Sequence, residues 1–316
     1  MNCFISFFKN TLLTCFLAVS ISTINAQDYI QYFRLVNEAE YWLEQHEYKY
    51  AEELYLKAFD LEQAVWKDCY LLSKCYAYQG DKERCYQYLQ KCAALPISLG
   101  HTIMRRYDQR DVFGMVFDDP TELEAVAAEL AEIRGMTDKK YKDKHYTLLN
   151  DQLDEWLAAY NAVSMPKEGI IVKAEDRKAA HEKIVSELLA FIKKDGYPGY
   201  YRIGTDMGSI LLSLVASKEA WRLAFQPLLE QALHQGQLIP YYYGDVLEKQ
   251  AASVYVMVDE TITAKDYPTL IKNRLAIGMS IFYKGTGRTP LGSKKPLPWI
   301  DEAFIQQYSL LDRYQK

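Results

Sequence analysis

Two stretches near the beginning of the chain repeat each other at a spacing of 34 residues. Aromatic and small residues recur at this spacing, in the pairs Trp42–Tyr76, Ala51–Cys85, Tyr55–Leu89, Ala58–Cys92 and Leu61–Leu95. The residues at the centre of each stretch also match, with His46-Glu47 against Gly80-Asp81. A repeat of this length is typical of helical hairpins that stack on their neighbours and share one core. The spacing therefore predicts an all-α fold that begins with stacked helical hairpins.

The repeated stretches, at about residues 35–95, resemble tetratricopeptide repeats. They depart from the family pattern at the Leu-Gly pair of the first helix, where this chain has Glu38-Ala39 and Leu72-Ser73. Tetratricopeptide repeats hold a peptide or a partner protein on a concave face, so the resemblance implies a binding scaffold. The other interpretation is that so short an array only packs against the rest of the chain, since three repeats are usually needed for a stable stack.

Residues 1–26 have the pattern of a secretory signal peptide. Lys9 is the single charged residue, and the stretch from Thr11 to Ile21 is mostly apolar but too short to span a bilayer. We expect cleavage at the Ala26-Gln27 bond and a periplasmic or secreted mature protein without a transmembrane segment. Lipid attachment at Cys15 is not expected, because the residues directly before it are not small.

Four cysteines follow the signal peptide, and all of them lie in the second repeat: Cys69, Cys75, Cys85 and Cys92. If the two helices of this repeat fold back on each other, Cys69 faces Cys92 and Cys75 faces Cys85. An oxidising compartment allows disulfides at such positions, and the Cys69–Cys92 pair is the better placed because Cys75 lies off the apolar stripe. The alternative is that these cysteines fill positions for small residues, since a free cysteine packs as a compact hydrophobe.

The C-terminal half is organised around a helix and a turn at residues 176–204. Asp176 is expected to cap this helix, and Gly196 and Pro198 are expected to end it. An apolar stripe at helical spacing lies between them, formed by Ile184, Val185, Leu188, Leu189 and Ile192. A last helix is predicted from Trp299 to Tyr314.

A chain of 316 residues is long enough for two domains with separate cores. An apolar pattern after Pro120 predicts a helix that ends at Gly135. This glycine places the predicted boundary between a helical repeat region over residues 27–135 and a helical domain over 136–316. The predicted signal peptide over residues 1–26 precedes both.

The second region, at about residues 150–316, is similar to an uncharacterised bacterial domain family that often follows tetratricopeptide-like helices. The similarity rests on short motifs, at Asp151-Gln152, Asp176, Gly196-Tyr197-Pro198 with Gly204, Ala232–Gly236 and Ile300-Asp301-Glu302. Where the family has Gln-His-Ala after the turn, this chain reads Ser213-Leu214-Val215-Ala216, and Glu248-Lys249 replaces an Asp-Arg pair. The resemblance implies a diverged, non-catalytic member.

The five histidines do not form a metal-binding or nucleophilic motif. The sequence has no H-E-x-x-H, no G-x-S-x-G and no C-x-x-C, and we predict neither a metal site nor a cofactor. His181 is the best single candidate for an acid or a base, because Asp176 stands near it. The alternative function is therefore a hydrolase that acts on envelope or extracellular substrates through Asp151, Asp176 and His181.

Tyrosine is unusually frequent, at 26 of 316 residues. Six tyrosines flank two predicted helix junctions: Tyr197, Tyr200, Tyr201, Tyr241, Tyr242 and Tyr243. If the junctions lie on one rim, the rings form an aromatic surface suited to a sugar or a peptide, and otherwise they pack around the turns. The net charge of −5, without a basic stripe, argues against a nucleic-acid partner. We therefore predict a protein or a peptide as the partner.

Overall fold

The computed structural model describes residues 29–95, 113–117, 119–142, 146–199, 209–251, 267–279, 281, 283–284, 295–296 and 301–311. Within these ranges the chain forms twelve α-helices arranged as paired hairpins, which confirms the predicted all-α fold. The predicted signal peptide with Cys15, and the tyrosines Tyr200 and Tyr201, lie outside the described residues.

The N-terminal part contains two helical hairpins. Their helices are α1 (29–44), α2 (Tyr48–Leu61), α3 (Trp66–Tyr78) and α4 (Lys82–Ala93). Helix α2 packs on α3, and a 3₁₀ turn at Phe113–Met115 also contacts α3. The two hairpins therefore lie side by side and share one core.

The remaining helices continue the same core. They are α5 (Pro120–Lys142), α6 (Tyr146–Ser164), α7 (Ala174–Asp195), α8 (Ser209–Ala216), α9 (Glu219–His234), α10 (Pro240–Ala251), α11 (Tyr267–Ala276) and α12 (Glu302–Tyr308). Helix α5 contacts both α4 and α6, α6 pairs with α7, and α8, α9 and α10 pack on one another. Two short strands, β1 (Tyr283–Lys284) and β2 (Lys295–Pro296), pair antiparallel before α12.

The spacing of 34 residues is visible in the geometry of the two hairpin turns. His46 has a φ of 62° and Gly80 a φ of 73°, so both turns use a left-handed residue at the matching position. The same main-chain hydrogen bond closes both turns, from Glu47 N to Trp42 O and from Asp81 N to Tyr76 O, each at 2.9 Å. The repeat in the sequence is therefore a repeat in the structure.

The matched small and apolar positions form the contact between the helices of each hairpin. The side chains at three of the predicted pairs are fully buried: Ala51 and Cys85, Tyr55 and Leu89, and Ala58 and Cys92. Leu61 is 38% exposed, so the last predicted pair lies at the edge of the core.

The helix predicted to end at Gly135 continues to Lys142 as α5, so this prediction was wrong. A glycine inside a helix costs about 1 kcal/mol relative to alanine, and neighbours with high helix propensity offset that cost. The preceding turns are rich in alanine, glutamate and leucine, which favour the helix. The boundary predicted between residues 135 and 136 thus lies inside a continuous helix.

Helix α7 has the predicted apolar face but a different beginning. Ile184, Val185, Leu188 and Ile192 are buried, and Gly196 takes a φ of 81° at the end of the helix, as expected. The helix begins at Ala174 with Lys173 in the capping position, and no side chain caps it. The prediction that Asp176 caps the helix was therefore wrong. Its carboxylate lies in the first turn, where a negative charge favours the positive end of the helix dipole.

The predicted helix over residues 299–314 is much shorter in the structure. Helix α12 begins after Asp301, whose carboxylate accepts a 2.7 Å hydrogen bond from Phe304 N, and it ends at Tyr308. Ser309 has an extended backbone, with φ −65° and ψ 141°. The helix ends early because the residues that follow bond to another part of the protein.

Candidate functional site

The first helices of the two hairpins, α1 and α3, are covered on nearly every side. All residues from Asp68 to Ala77 in α3 are buried, as are all residues at positions 38–43 in α1. Consecutive helical residues point in different directions, so such runs need protein on all sides of the helix. For α3, part of this cover comes from residues 113–117, with the Phe113 ring 5.7 Å from the Tyr70 ring. For α1, it comes from segments near the C-terminus.

Glu38 of α1 is the centre of this contact. Its side chain is only 1% exposed, and its carboxylate accepts three hydrogen bonds. One comes from Trp42 Nε1 at 3.1 Å within the same helix, one from Leu310 N at 2.7 Å and one from Ser309 Oγ. Ser309 lies 271 residues further along the chain. A single buried carboxylate therefore holds both the hydroxyl and the main chain of an extended segment.

The electrostatics of Glu38 reflect two opposing effects. Burial raises the pKa of the Glu38 carboxyl, since removal from water disfavours the charged form. The hydrogen bonds from Ser309, Leu310 and Trp42, and the nearby Arg34 guanidinium, act in the opposite direction. The C-terminal segment thus supplies much of the compensation that a buried carboxylate requires.

A second contact on the same face of α1 involves Asn37 and Gly278. The Asn37 side chain donates a 2.7 Å hydrogen bond from Nδ2 to Gly278 O. Gly278 has a φ of 76°, and a Cβ at this position would lie 3.0 Å from both Ile30 O and Phe33 Cβ. A larger residue would therefore be strained and crowded, and glycine allows the main chain to approach α1 closely.

A small recess with a cavity volume of about 10 Å³ lies beside Glu38, between α1, α11 and the C-terminal segment. Its lining residues are Arg34, Asn37, Glu38, Leu275, Met279, Ile281, Tyr308 and Leu310. The polar side chains of α1 line one part and apolar side chains line the rest. The recess has room for about one water molecule, because the chain's own segment already fills the space beside Glu38.

A second buried carboxylate links the two hairpins. Asp68 of α3 accepts a 2.5 Å hydrogen bond from Tyr32 OH of α1. Burial raises the pKa of Asp68 to about 6, and a further rise comes from Glu40, whereas Lys67 and the Tyr32 hydroxyl lower it. Lys67 Nζ also lies 2.5 Å from Glu40 Oε1. These contacts fix α1 against α3 and leave Asp68 without a role in binding at the recess.

The three residues of the hydrolase alternative have separate surroundings. Asp151 and Asp176 are exposed. His181 Nε2 lies 2.8 Å from Ser164 Oγ, and its ring stacks on Tyr160 with centroids 5.3 Å apart. Burial lowers the pKa of His181, and the nearby Arg177 of α7 and Lys218, which directly precedes α9, lower it further. Within the described parts of the chain, no hydrogen bond joins His181 to either aspartate.

Two of the four described tyrosines of the predicted aromatic surface lie inside the protein. Tyr197 and Tyr243 are each 5% exposed and belong to the core. Tyr241 and Tyr242 are half-buried, with ring centroids 5.2 Å apart. Among the described members of this set, Tyr241 and Tyr242 alone reach the surface, and the packing interpretation accounts for the other two.

Cys69, Cys75, Cys85 and Cys92 are buried free thiols. Burial raises the pKa of Cys92 well above its usual range, and the neighbouring Cys69 raises it further. Burial likewise raises the pKa of Cys69 to about 12. A disulfide between Cys69 and Cys92 stays a prediction for the oxidised protein. Among the described residues, no group of three or more His, Cys, Asp or Glu side chains could hold a metal ion.

Glu38 was not among the residues that the sequence singled out as a site. The signal was present as the departure from the tetratricopeptide pattern, where Glu38-Ala39 stands against Leu72-Ser73 of the second repeat. A charged residue at a position that is apolar in the matching repeat needs a partner when it is buried. The partner lies near the end of the chain and could not be identified from local spacing.

None of the helices in the described ranges is both long and apolar enough to cross a lipid bilayer. Comparisons with family models, with curated proteins and with solved structures find no match for this chain. The resemblances to tetratricopeptide repeats and to an uncharacterised domain family therefore stay predictions.

Proposed function

We propose that this protein is a non-catalytic helical-repeat scaffold that binds a protein or a peptide in the periplasm or outside the cell. The proposal is carried by hydrogen bonds between side chains of α1 and main-chain groups just beyond the ends of α11 and α12. Glu38 accepts a hydrogen bond from the main chain of Leu310, and Asn37 donates one to the main chain of Gly278. The side chains of α1 thus bind main-chain groups that lie two residues beyond the ends of α11 and α12.

An extended peptide presents main-chain N–H and C=O groups that must be paired when it is buried. A helix cannot offer its own main chain for this purpose, because its groups are already bonded within the helix. Carboxylate and amide side chains on the helix surface supply the missing acceptor and donor. Glu38 and Asn37 are adjacent in the sequence and provide one of each, which suits a peptide-binding face.

The contacts of His181 favour binding over the hydrolase alternative. The imidazole bonds to Ser164 of α6 and stacks on Tyr160 of the same helix, so it joins α6 to α7. A general base must reach the proton that it removes from a substrate or a nucleophile. The structural contact of His181 explains this residue without a substrate.

A selection from a displayed library of random twelve-residue peptides on the purified protein tests the binding function. The selection is run in parallel on the wild type and on Glu38→Leu, with far-UV circular dichroism to verify that both are folded. We expect peptides that bind the wild type with a dissociation constant near the micromolar range and bind Glu38→Leu at least about tenfold more weakly. Asp154→Asn, at an exposed position of α6, is the matched control and should leave the affinity unchanged.

Two results would count against the proposed function. One is a selection that enriches no peptide above a blank surface. The other is a set of enriched peptides that bind the wild type and Glu38→Leu equally, because α1 would then not be the binding face.

Export is tested separately. The proposal requires that a protein produced with residues 1–26 in a bacterial host with a periplasm is recovered from that compartment with Gln27 at its N-terminus. Intact-mass measurement distinguishes this product from the uncleaved chain. Recovery of the full-length mass from the cytoplasm would contradict the proposed location and would leave the binding function to its own test.

A further inference from the structure

The segment that follows α12 lies on α1 as a bound peptide would. Ser309 and Leu311 are buried, and Leu311 is only 1% exposed. The helical hydrogen bonds of α12 end with Ser309 N to Ile305 O at 2.9 Å. Beyond this point the Leu310 amide bonds to Glu38, and Leu311 N points to Ser309 Oγ at 3.3 Å. Ser309 has an extended backbone, and the three amides and the Ser309 hydroxyl are hydrogen-bonded to α12, to α1 or within the segment.

The contact between Glu38 and the segment after α12 accepts only certain residue types at each position of the segment. Glu38 accepts from a side-chain hydroxyl at one position and from a main-chain N–H at the next position. The first position therefore requires serine or threonine, and the second excludes proline, which has no N–H. The third position requires an apolar side chain, because Leu311 is buried.

The second repeat shows that this selectivity is a feature of Glu38 alone. The residue at the matching position of α3 is Leu72, which is fully buried and has no group that can accept a hydrogen bond. Helix α3 is covered by the Phe113 segment through ring contacts. The first helix of a hairpin can therefore be covered without a buried carboxylate. At position 38 the carboxylate accepts hydrogen bonds from the polar groups of the segment that covers it.

We propose that the face of α1 around Glu38 recognises an extended peptide with a hydroxyl residue, a non-proline residue and an aliphatic residue in succession, and that Ser309-Leu310-Leu311 occupies the site as an internal competitor. This inference rests on the proposed binding function and names the ligand class and its regulation. A partner segment of the same chemistry gains access when it displaces the chain's own segment.

The tether determines how strongly the internal segment competes. A segment attached to the same chain acts at an effective concentration near the millimolar range, so an external peptide meets a site that is mostly occupied. The apparent affinity for the external peptide falls in proportion to the fraction of free sites. A substitution that weakens the internal segment, and leaves Glu38 unchanged, should therefore raise the affinity for an external peptide.

The experiment uses a fluorescein-labelled peptide with the sequence of residues 304–316, titrated into the full chain and followed by fluorescence anisotropy. Leu311→Asp places a charge in the buried position of the internal segment and should bind the labelled peptide at least about tenfold more tightly than the wild type. Gln306→Asp adds the same charge at an exposed position of α12 and should behave as the wild type.

Two altered peptides and one further chain variant test the recognition chemistry. A peptide with alanine in place of Ser309 lacks the hydroxyl, and a peptide N-methylated at Leu310 lacks the amide donor. Both should bind Leu311→Asp at least about tenfold more weakly than the unaltered peptide. The double variant Leu311→Asp with Glu38→Leu should lose the gain in affinity.

The outcomes separate this inference from the proposed function. Circular dichroism and the urea midpoint establish whether Leu311→Asp is folded, and if it is not, Ser309→Ala in the chain replaces it in the same comparison. A folded variant that binds the tail peptide no better than the wild type overturns the inference, even if library peptides still bind at α1. Concentration-dependent dimers of the wild type that Leu311→Asp abolishes, without binding of the tail peptide, also overturn it, since the segment would then exchange between two copies.

Discussion

The two N-terminal hairpins differ most at one position of their first helices. Both turn through a left-handed residue, and both close with the same 2.9 Å hydrogen bond. At position 72 the second hairpin has a leucine that is 0% exposed, and at the matching position 38 the first hairpin has a glutamate that is 1% exposed. The leucine needs only packing, whereas the glutamate needs donors, and two of its three donors come from residues 309–310.

This difference shows that the repeated positions and the position that departs from the repeat determine different parts of the structure. The period specifies the hairpin, because the turn residues and small positions recur at 34 residues. Glu38, which departs from the repeat, determines which segment of the chain covers the first hairpin. A buried carboxylate is retained only when its hydrogen bonds are supplied, so Glu38 makes α1 dependent on one extended segment.

The largest effect on stability is expected when glutamate, the residue at position 38 of the first repeat, replaces Leu72 at the matching position of the second repeat. Leu72→Glu buries a carboxylate within an apolar cluster, and we expect the free energy of unfolding to fall by about 4 kcal/mol. Urea unfolding followed by circular dichroism measures this change. Leu72→Met is the matched control, with an expected loss below about 1.5 kcal/mol. A loss below about 1 kcal/mol in Leu72→Glu would show that position 72 can also find donors.

The contact between the hairpins should make stability depend on pH. The Asp68 pKa is about 6 in the folded protein and 3.8 without the fold, so the folded state binds this proton more tightly. Its stabilising contribution is complete below pH 3.8 and is lost as the pH rises through about 6, a change of about 3 kcal/mol.

Asp68→Asn removes this titration and should flatten the pH dependence of the urea midpoint between pH 4.5 and pH 7.5. Tyr32→Phe removes the hydroxyl that lowers the Asp68 pKa and should make the dependence steeper. Equal slopes in the wild type and in Asp68→Asn would mean that Asp68 is not the titrating group.

The reverse exchange makes the first repeat resemble the second. Glu38→Leu leaves the Leu310 amide and Trp42 Nε1 without their acceptor but also removes a buried charge. We expect a net loss of about 2 kcal/mol in the free energy of unfolding, measured with urea. Glu230→Leu at an exposed position of α9 is the control and should stay within about 0.5 kcal/mol of the wild type. An equal loss of unfolding free energy in both variants would show that the hydrogen bonds of Glu38 do not contribute to stability.

The two turns offer the smallest test, with effects of opposite sign. Gly80→Ala forces a side chain into a left-handed backbone and should cost about 1 kcal/mol, although open space surrounds this position. His46→Gly relieves the same strain in the first turn and should raise the free energy of unfolding by up to about 1 kcal/mol. Loss of the 2.9 Å contact between His46 Nδ1 and Tyr48 OH reduces this gain. Urea midpoints of both variants check the signs. Changes of the same sign would contradict the equivalence of the two turns.

The sequence predicts the parts of this protein that depend on local pattern. The hairpin repeat, the apolar face of α7 and the left-handed Gly196 follow from spacing and residue type. The exact start of α7 does not, because Lys173 and Asp176 compete for the beginning of the helix over less than one turn.

The candidate site depends on contacts between distant residues, and the sequence alone does not show these. The end of α12 at Tyr308 is decided by Glu38, which lies far away in the chain. The local pattern favours a longer helix, and the tertiary hydrogen bonds override it. Likewise, Tyr197 and Tyr243 have the residue type of a binding surface, and only the packing shows that they are buried.

Glu38 holds Ser309 and Leu310 on α1 through hydrogen bonds to its buried carboxylate. The most direct measurement is the hydrogen-exchange rate of the Leu310 amide in the full chain. We expect the Leu310 amide to exchange at least about tenfold more slowly in the wild type than in Glu38→Leu, while the exchange rate of the Leu72 amide is the same in both proteins. Rapid exchange of Leu310 at the same rate in both proteins would contradict it.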